Sequence, residues 1–360
     1  MRMIAVLAAA ALLVACGDPN RSENASVLDG HVVRVLQTGD RAGQGIGMRQ
    51  PFQRLEVQLD GGLYRGDVVQ IEWGGRRALN ENGFLAAGDK VLLSETREGS
   101  ERRYTIVEIV RFPSLAPVAA VFVIALLVVA RLKGLAALAG LASSIAVFLL
   151  AIVPALRAGD DPLRATLVGA VGVVTVSVFV VHGVNRKSAA ALVGTLCGLV
   201  AVAAIGAIGL GLAHITGLAS EDQIFVAVGT DGRVDMPKLA LAGVIVGSLG
   251  ALVDMSIGQS SATAELSAVD PELRGRRLYR SALSVGGDHI GSLVNTLGLA
   301  YFGGALPLVV LLSIGYQPLA VSLNSEEIIA SLLTVVAAGT GLVLCVPITT
   351  AVAVAFADRD

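Results

Sequence analysis

The residues best suited to chemistry are acids that interrupt two apolar segments. Asp254 follows the apolar run of residues 239–253, and Asp288 lies within residues 284–303. A carboxylate at the centre of a bilayer costs about 3 kcal/mol to insert, whereas a Leu or Val contributes roughly −0.3 to −0.6 kcal/mol. Such acids usually face a protein interior or a water-filled cavity and mark a pathway. We predict that Asp254 and Asp288 bind a proton, a metal cation or a cationic solute.

Each acid belongs to a stripe of polar side chains on one face of a predicted helix. Steps of seven and four residues place Ser261 and Glu265 on the face of Asp254. Steps of four and three residues from Asp288 make a second stripe. The residues that we predict to line an ion or substrate pathway are Asp254, Gln259, Glu265, Asp288, Ser292 and Asn295.

Small residues accompany both stripes at a spacing that lets helices approach closely. Gly243 and Gly247 are four residues apart in the first segment, and Gly287 and Gly291 repeat that spacing in the second. Helices in lipid pack through such faces. We therefore expect the two helices to meet and their acids to share one polar cavity near the cytoplasmic half of the bilayer.

A purely structural role is the alternative for these polar residues. Hydroxyl groups in membrane helices often bond each other or the backbone and only hold helices together, and we favour that role for the serines and threonines. A functional role is favoured for the two aspartates, because a buried acid costs more than a hydroxyl. Glu265 could instead lie in the interface and pair with Arg274 or Arg276.

The composition is that of an integral membrane protein. The 360 residues are 54% hydrophobic and only 16% charged, with a mean hydropathy of +0.73, well outside the soluble range. A net charge of −2 lacks the basic excess that nucleic-acid binding needs, which excludes that partner. Forty-two glycines with 4% aromatic residues favour closely packed helices.

The N-terminus resembles an export signal. Residues 1–16 contain Arg2, about a dozen apolar residues and the sequence "LVAC" ending at Cys16. Such a short apolar core does not easily cross roughly 30 Å of hydrocarbon. The last four residues resemble a bacterial lipobox, which implies cleavage before Cys16 and acylation there; the alternative is an uncleaved signal anchor.

Residues 17–112 are predicted to form an exported β-rich domain, either a small barrel or a sandwich. Alternating apolar and polar residues indicate strands, and Gly-Asp pairs at 66–67 and 88–89 indicate tight turns before two of them. Both a spacer or assembly role and a ligand-binding role remain open for this domain. The predicted strands are residues 31–37, 54–60, 67–73, 90–95 and 104–111.

Residues 113–357 are predicted to form a polytopic helical bundle of about eight spans. Basic residues cluster at 131–133, 186–187 and 274–280, which makes those boundaries cytoplasmic and the N-terminal domain exported. Pro307 and Pro318 could make the seventh segment re-entrant, which would reverse the side of the C-terminus. The predicted spans are residues 115–130, 135–156, 163–181, 189–212, 239–258, 282–302, 305–323 and 328–357.

Three stretches of the membrane half carry a family resemblance: "GSLGALVDMSIGQSSATAEL" (247–266), "GGDHIGSLVNTLGLAYFGGALPL" (286–308) and "GLVLCVPITTAVA" (341–353). From about residue 114 to residue 356 the sequence resembles the YibE/F family of bacterial membrane proteins. The resemblance implies a bacterial cytoplasmic-membrane location and a function that is generally undefined, sometimes described as export. The positions that match the family motifs are Asp254, Gln259, Glu265, Asp288, Asn295 and Tyr301.

The sequence departs from the family pattern beside Asp288. Members often carry Arg before this acid, whereas this chain has Gly287. Asp288 therefore lacks the neighbouring cation with which it would form an ion pair in other members.

The leading hypothesis is a transporter or permease for an ion or small solute. No cofactor or catalytic residue is predicted, and the metal question stays open. One alternative is an intramembrane hydrolase with Ser260 as nucleophile and His289 as base. The other is a scaffold or accessory subunit whose β domain recruits a partner. Expected partners are the lipid bilayer, an unknown solute or ion, and a second copy or partner subunit.

Overall fold

The computed structural model describes residues 25–42, 49–74, 83–98, 101–315 and 318–358. The predicted signal segment and its lipidation residue Cys16 lie outside this part of the chain. Contacts divide the chain into two compact units, whose described parts are residues 25–128 and 129–358.

The first unit contains one curled antiparallel sheet in the order β3-β2-β1-β4-β5. All five strands fall where the alternating pattern predicts them, but the sheet is a curled single layer and not a sandwich. Gly66 and Gly88 have φ angles of 98° and 95°, which only glycine adopts easily, so the predicted Gly-Asp turns are confirmed. The strands are Ala25–Ala42, Arg49–Leu59, Val68–Trp73, Lys90–Glu98 and Glu101–Ile109.

The concave side of the sheet holds its own hydrophobic core. Every second residue of β2 from Gln53 to Leu59 is buried, as expected of a strand with one face inside. Leu85 covers the end of this core, fixed by two hydrogen bonds with the buried side chain of Gln53. The sheet therefore has a folded interior of its own.

The rest of the described chain is helical. A short 3₁₀ turn, Phe112–Leu115, leads into α1, and a π turn, Phe148–Ile152, connects α1 to α2. The helices are α1 Ala116–Val147, α2 Val153–Arg157, α3 Pro162–His182, α4 Arg186–Leu212, α5 Glu221–Gly229, α6 Met236–Val269, α7 Gly275–Gly304, α8 Leu306–Ser313, α9 Leu319–Leu323 and α10 Glu326–Ala357.

Five helical segments of the described chain are long and apolar enough to cross a membrane, and a sixth is the bent pair of α7 and α8. The first, Phe112–Arg157, has 46 residues, about 69 Å at 1.5 Å per residue. Its backbone is non-helical at Arg131, where φ is 51° and ψ is −126°. The segment is therefore long enough for the two separate spans that the sequence predicts.

The helical bundle is built around α4, α6 and α10, which contact one another extensively. Glycine lets α4 and α10 approach: a Cβ added at Gly198 would lie 3.1 Å from the carbonyl oxygen of Gly341, and one at Gly341 would lie 3.0 Å from that of Gly198. This is the close backbone contact that small residues permit between apolar helices.

The residues that line two cavities show in which direction these helices run. The first turns of α6 and α10 line one cavity together with the last turn of α4, and the last turns of α6 and α10 line the other with the first turn of α4. Consequently α6 and α10 run in the same direction and α4 runs the opposite way. We call the two ends of the bundle the α6 N-terminal end and the α6 C-terminal end.

This arrangement corrects the prediction of a seventh span at residues 305–323. Because α7 leads back from the α6 C-terminal end, and α10 starts at the α6 N-terminal end, the intervening chain does not cross the bundle. It forms the short helices α8 and α9, and α8 is bent by 66° from α7. The proline-containing segment therefore stays at the α6 N-terminal end of the bundle. This agrees with the alternative in which the segment is re-entrant.

Candidate functional site

Helix α6 carries most of the predicted site and is well defined at its start. The side chain of Asp235 caps it by accepting a hydrogen bond from the backbone N–H of Lys238, and Pro237 occupies the first turn. The Lys238 ammonium group reaches Asp161, the cap of α3, at 2.6 Å, and Asp235 at 3.3 Å. This ion-pair group ties the first turns of α3 and α6 together.

Asp254 lies on the face of α6 that is turned towards α1 and α3. It is exposed to a cavity of about 400 Å³ between these helices. Apolar side chains make up most of the lining, together with the hydroxyl groups of Ser144 and Ser177. The cavity thus presents one carboxylate and two hydroxyl groups in an otherwise apolar wall, an arrangement that suits binding of a cation or a proton.

A histidine lies near this carboxylate. His182, the last residue of α3, interacts electrostatically with Asp254 and also with Lys133 of α1. Sequence spacing does not group these three residues, since they are separated by 49 or more positions. His182 and Asp254 come near each other because α3 runs parallel to α6, from the Asp161–Lys238 pair at one end of α3 to His182 at the other.

Gln259 lies about 140° around α6 from Asp254 and has a different environment. Its side chain is fully buried. The amide nitrogen donates hydrogen bonds to the carbonyl of Ala282, at 2.9 Å, and to the hydroxyl of Thr350, at 2.7 Å. Gln259 therefore joins α6 to α7 and α10, and its amide oxygen has no hydrogen-bond partner.

Glu265 forms an ion pair that the sequence analysis did not name. Its carboxylate accepts from the ammonium group of Lys187 at 3.1 Å, in place of the suggested Arg274 or Arg276. The pair is exposed and lies where α4 begins and α6 approaches its end. Its position indicates an interfacial link between helices.

The predicted stripe on α7 faces outwards. Asp288, Ser292 and Asn295 are all exposed on this helix. Asp288 is not among the residues that line the Asp254 cavity, which is bounded by α1, α3 and α6. The structure therefore does not bring the two acids to that cavity together.

Helices α6 and α7 do meet, as expected, through the predicted Gly247 on α6 but through a different glycine on α7. Gly247 packs against the hydroxyl of Tyr301, and Gly286 packs against the side chain of Gln259. Gly287 and Gly291, which the spacing favoured, have open space where a Cβ would lie. The small-residue signal identified the right pair of helices and the wrong face of α7.

Sequence reasoning missed the residues that complete these environments. Ser144 and Ser177 of the cavity, and Thr350 beside Gln259, occur within apolar runs where single hydroxyl residues are common and carry no distinctive spacing. Thr350 lies within the third family-like stretch. Its place in this stretch is the only feature of the sequence that could have pointed to Thr350.

The hydrolase alternative gains no geometric support. Ser260 is fully buried and its hydroxyl donates to the carbonyl of Ile257 at 3.0 Å. His289 is exposed on α7. Among the described residues no group of three His, Cys, Asp or Glu side chains could hold a metal ion.

Long apolar helices and a separate N-terminal sheet define the class: a protein with helices long and apolar enough to cross a membrane and an added β domain. The model of the YibE/F-like protein family matches residues 118–359. This match covers more than half of the chain, so the protein belongs to the YibE/F family, as the resemblance implied. No curated protein and no solved structure is significantly similar to the chain.

Proposed function

We propose that the protein is a permease or transporter of the bacterial cytoplasmic membrane, with its N-terminal sheet exported and Asp254 binding a proton, a metal cation or a cationic solute. The family and the apolar helices indicate a membrane protein. The observation that carries the transport proposal is the single carboxylate that Asp254 presents to a cavity with mostly apolar walls.

The chemistry of the cavity favours a small cation. A cation that leaves water must exchange its hydration shell for oxygen ligands, and the cavity offers Asp254 with the hydroxyls of Ser144 and Ser177. His182 lies close enough to interact electrostatically with Asp254.

Any active transport requires an external source of energy. The sequence has no Walker-type Gly-Lys-Ser motif for ATP. Coupling to an ion gradient, or to a partner subunit that supplies energy, is therefore part of this proposal. Asp288, Ser292 and Asn295 remain proposed pathway residues only if a conformational change covers the exposed face of α7.

The test is ion flux through vesicles that contain the full-length protein. We expect Asp254→Asn to lower proton or cation flux by at least about tenfold, because loss of a charge-assisted contact costs roughly 1.5–3 kcal/mol. Asp270→Asn is the matched control, since it makes the same change just after the end of α6 and outside the cavity. Equal flux in wild type and Asp254→Asn would exclude this role.

A scaffold role is the second candidate, and one feature of the N-terminal unit favours it. The turn after β2 exposes Leu63, whose side chain is 90% accessible, on a unit that has its own core. Wild-type vesicles without flux, together with a bound partner that Leu63→Asp releases from the full chain, would favour recruitment over transport.

A further inference from the structure

A second cavity, at the α6 C-terminal end, has a basic lining. It has a volume of about 390 Å³ and lies between the first turn of α4 and the last turns of α6 and α10. Arg186, Lys187 and Arg274 line it, and none of its described lining residues is acidic. We call it the basic cavity.

The remaining walls of the basic cavity are small, hydroxylic or apolar. Ser267 contributes a hydroxyl group, while Phe356 and several alanines contribute apolar surface. A site with cations on one side and apolar surface on the other matches a molecule that has both a phosphate and a hydrocarbon part. A fully hydrated inorganic anion would gain little from the apolar half.

The cations that line the cavity come from two separate segments of the chain. Arg186 and Lys187 belong to the start of α4, and Arg274 lies between α6 and α7. Their groups have local contacts: Arg186 donates to the carbonyl of Phe356 at 3.4 Å, Arg274 to that of Pro271 at 3.0 Å, and Lys187 pairs with Glu265. The carbonyl contact of Arg274 orients its guanidinium group without removing its charge.

The position of the cavity suggests which anion it meets. It lies at the ends of three helices that are long enough to cross a membrane, which is the depth of the lipid head groups. Basic pockets between such helices bind anionic head groups. We propose that the basic cavity binds the phosphate of an anionic phospholipid through the cations that line it.

Lipid binding to the purified full-length protein tests this assignment. The protein in neutral detergent is titrated with dioleoyl phosphatidylglycerol, with dioleoyl phosphatidylcholine or with inorganic phosphate, and bound species are counted by native mass spectrometry. We expect saturable binding of phosphatidylglycerol in preference to phosphatidylcholine. We also expect inorganic phosphate to compete only weakly.

Charge-matched variants localise the site. Replacing both Arg186 and Arg274 by Gln should weaken phosphatidylglycerol binding about thirtyfold, at roughly fivefold per basic residue. Arg276→Gln with Arg277→Gln removes the same charge from exposed residues outside the cavity and should change binding less than about twofold. Ser267→Glu introduces an acid into the cavity without removing a cation, and it should also weaken binding. This variant supplies the test if the Arg186 and Arg274 changes prevent folding.

Three results would overturn the proposal. Equal loss in the two double variants would show a general charge effect. Competition by inorganic phosphate as strong as that by the lipid would assign the cavity to a soluble anion. Binding that survives both the Arg186 and Arg274 changes and Ser267→Glu would place the lipid elsewhere. Ion flux through the Asp254 cavity is a separate measurement, so neither outcome decides the other.

Discussion

At the scale of single residues, α6 holds the exposed polar side chain of Asp254 and the fully buried polar side chain of Gln259 on different faces. They are five positions apart on α6, so one faces the cavity beside α1 and α3 while the other is sealed against α7 and α10. The buried amide is satisfied at its nitrogen only. Its contacts therefore matter for stability, whereas those of Asp254 remain open to a ligand.

Thr350→Val tests the buried contact of Gln259. The change removes the hydroxyl that accepts from the amide nitrogen, and should lower the free energy of unfolding by about 1–3 kcal/mol. Thr340→Val is the control, because that hydroxyl also donates to the carbonyl four residues earlier on α10 but does not accept from Gln259. Thermal unfolding in neutral detergent measures the stability of both variants. Equal losses of stability would show that the contact with Gln259 does not stabilise the fold.

The ion pair of Asp161 with Lys238 should make the stability of the folded protein depend on pH. The hydrogen bond from Lys238 holds the pKa of Asp161 below its usual value, with help from the backbone N–H of Arg164. Because the folded-state pKa is the lower one, the stabilisation is present above the unfolded pKa of about 3.9 and is lost as the pH falls through the folded value.

The measurement is the melting temperature of wild type and Asp161→Asn at several pH values. The difference between them should be present at neutral pH and should shrink below about pH 4. Asp160→Asn makes the same change at the adjacent position and controls for net charge. A difference between wild type and Asp161→Asn that stays constant down to pH 2 would exclude the ion pair as its cause.

At the scale of helices and strands, periodicity predicted most elements because it reports which face is buried. The five strands and the helices α3, α4, α6, α7 and α10 fall where alternation and apolar runs placed them. The pairing of faces could not be predicted. Gly286 and Gly287 look equivalent in sequence, yet only the first packs against α6, because that choice depends on how far α7 is rotated.

A pair of glycines on α10 tests the close packing of the bundle. A Cβ at Gly341 would collide with Val202 and lie 3.0 Å from the Gly198 carbonyl oxygen, whereas one at Gly339 would meet nothing within 4 Å. Gly341→Ala should therefore lower the free energy of unfolding by about 1–3 kcal/mol. Gly339→Ala should be neutral or slightly stabilising. Similar melting temperatures for the two variants would contradict the packing described here.

At the scale of the whole molecule, charge placement along the chain predicted that the basic boundaries share one end. Arg186, Lys187 and Arg274 indeed line one cavity, while the Asp161–Lys238 pair lies at the other end. The number of crossings was harder to predict, because the segment of residues 305–323 is apolar enough to span. Only its packing shows that it turns back.

The direction of α10 gives a topology that labelling can test. Cysteines introduced at Asp270 and Asp358 should react with an impermeant thiol reagent from one side of the membrane, and cysteines at Asp231 and Asn324 from the other. The background carries Cys197→Ala and Cys345→Ala. Labelling of position 324 from the same side as position 270 would mean that residues 305–323 do cross.

Chemical modification of the Asp254 carboxyl in the full-length protein tests directly whether this group binds the transported ion. A hydrophobic carbodiimide reacts with protonated carboxyl groups in apolar surroundings, and peptide mass spectrometry locates the adduct. We expect modification at Asp254, protection by rising concentrations of the transported cation, and loss of ion flux in proportion to the modified fraction. Full modification of Asp254 with unchanged flux would contradict this expectation.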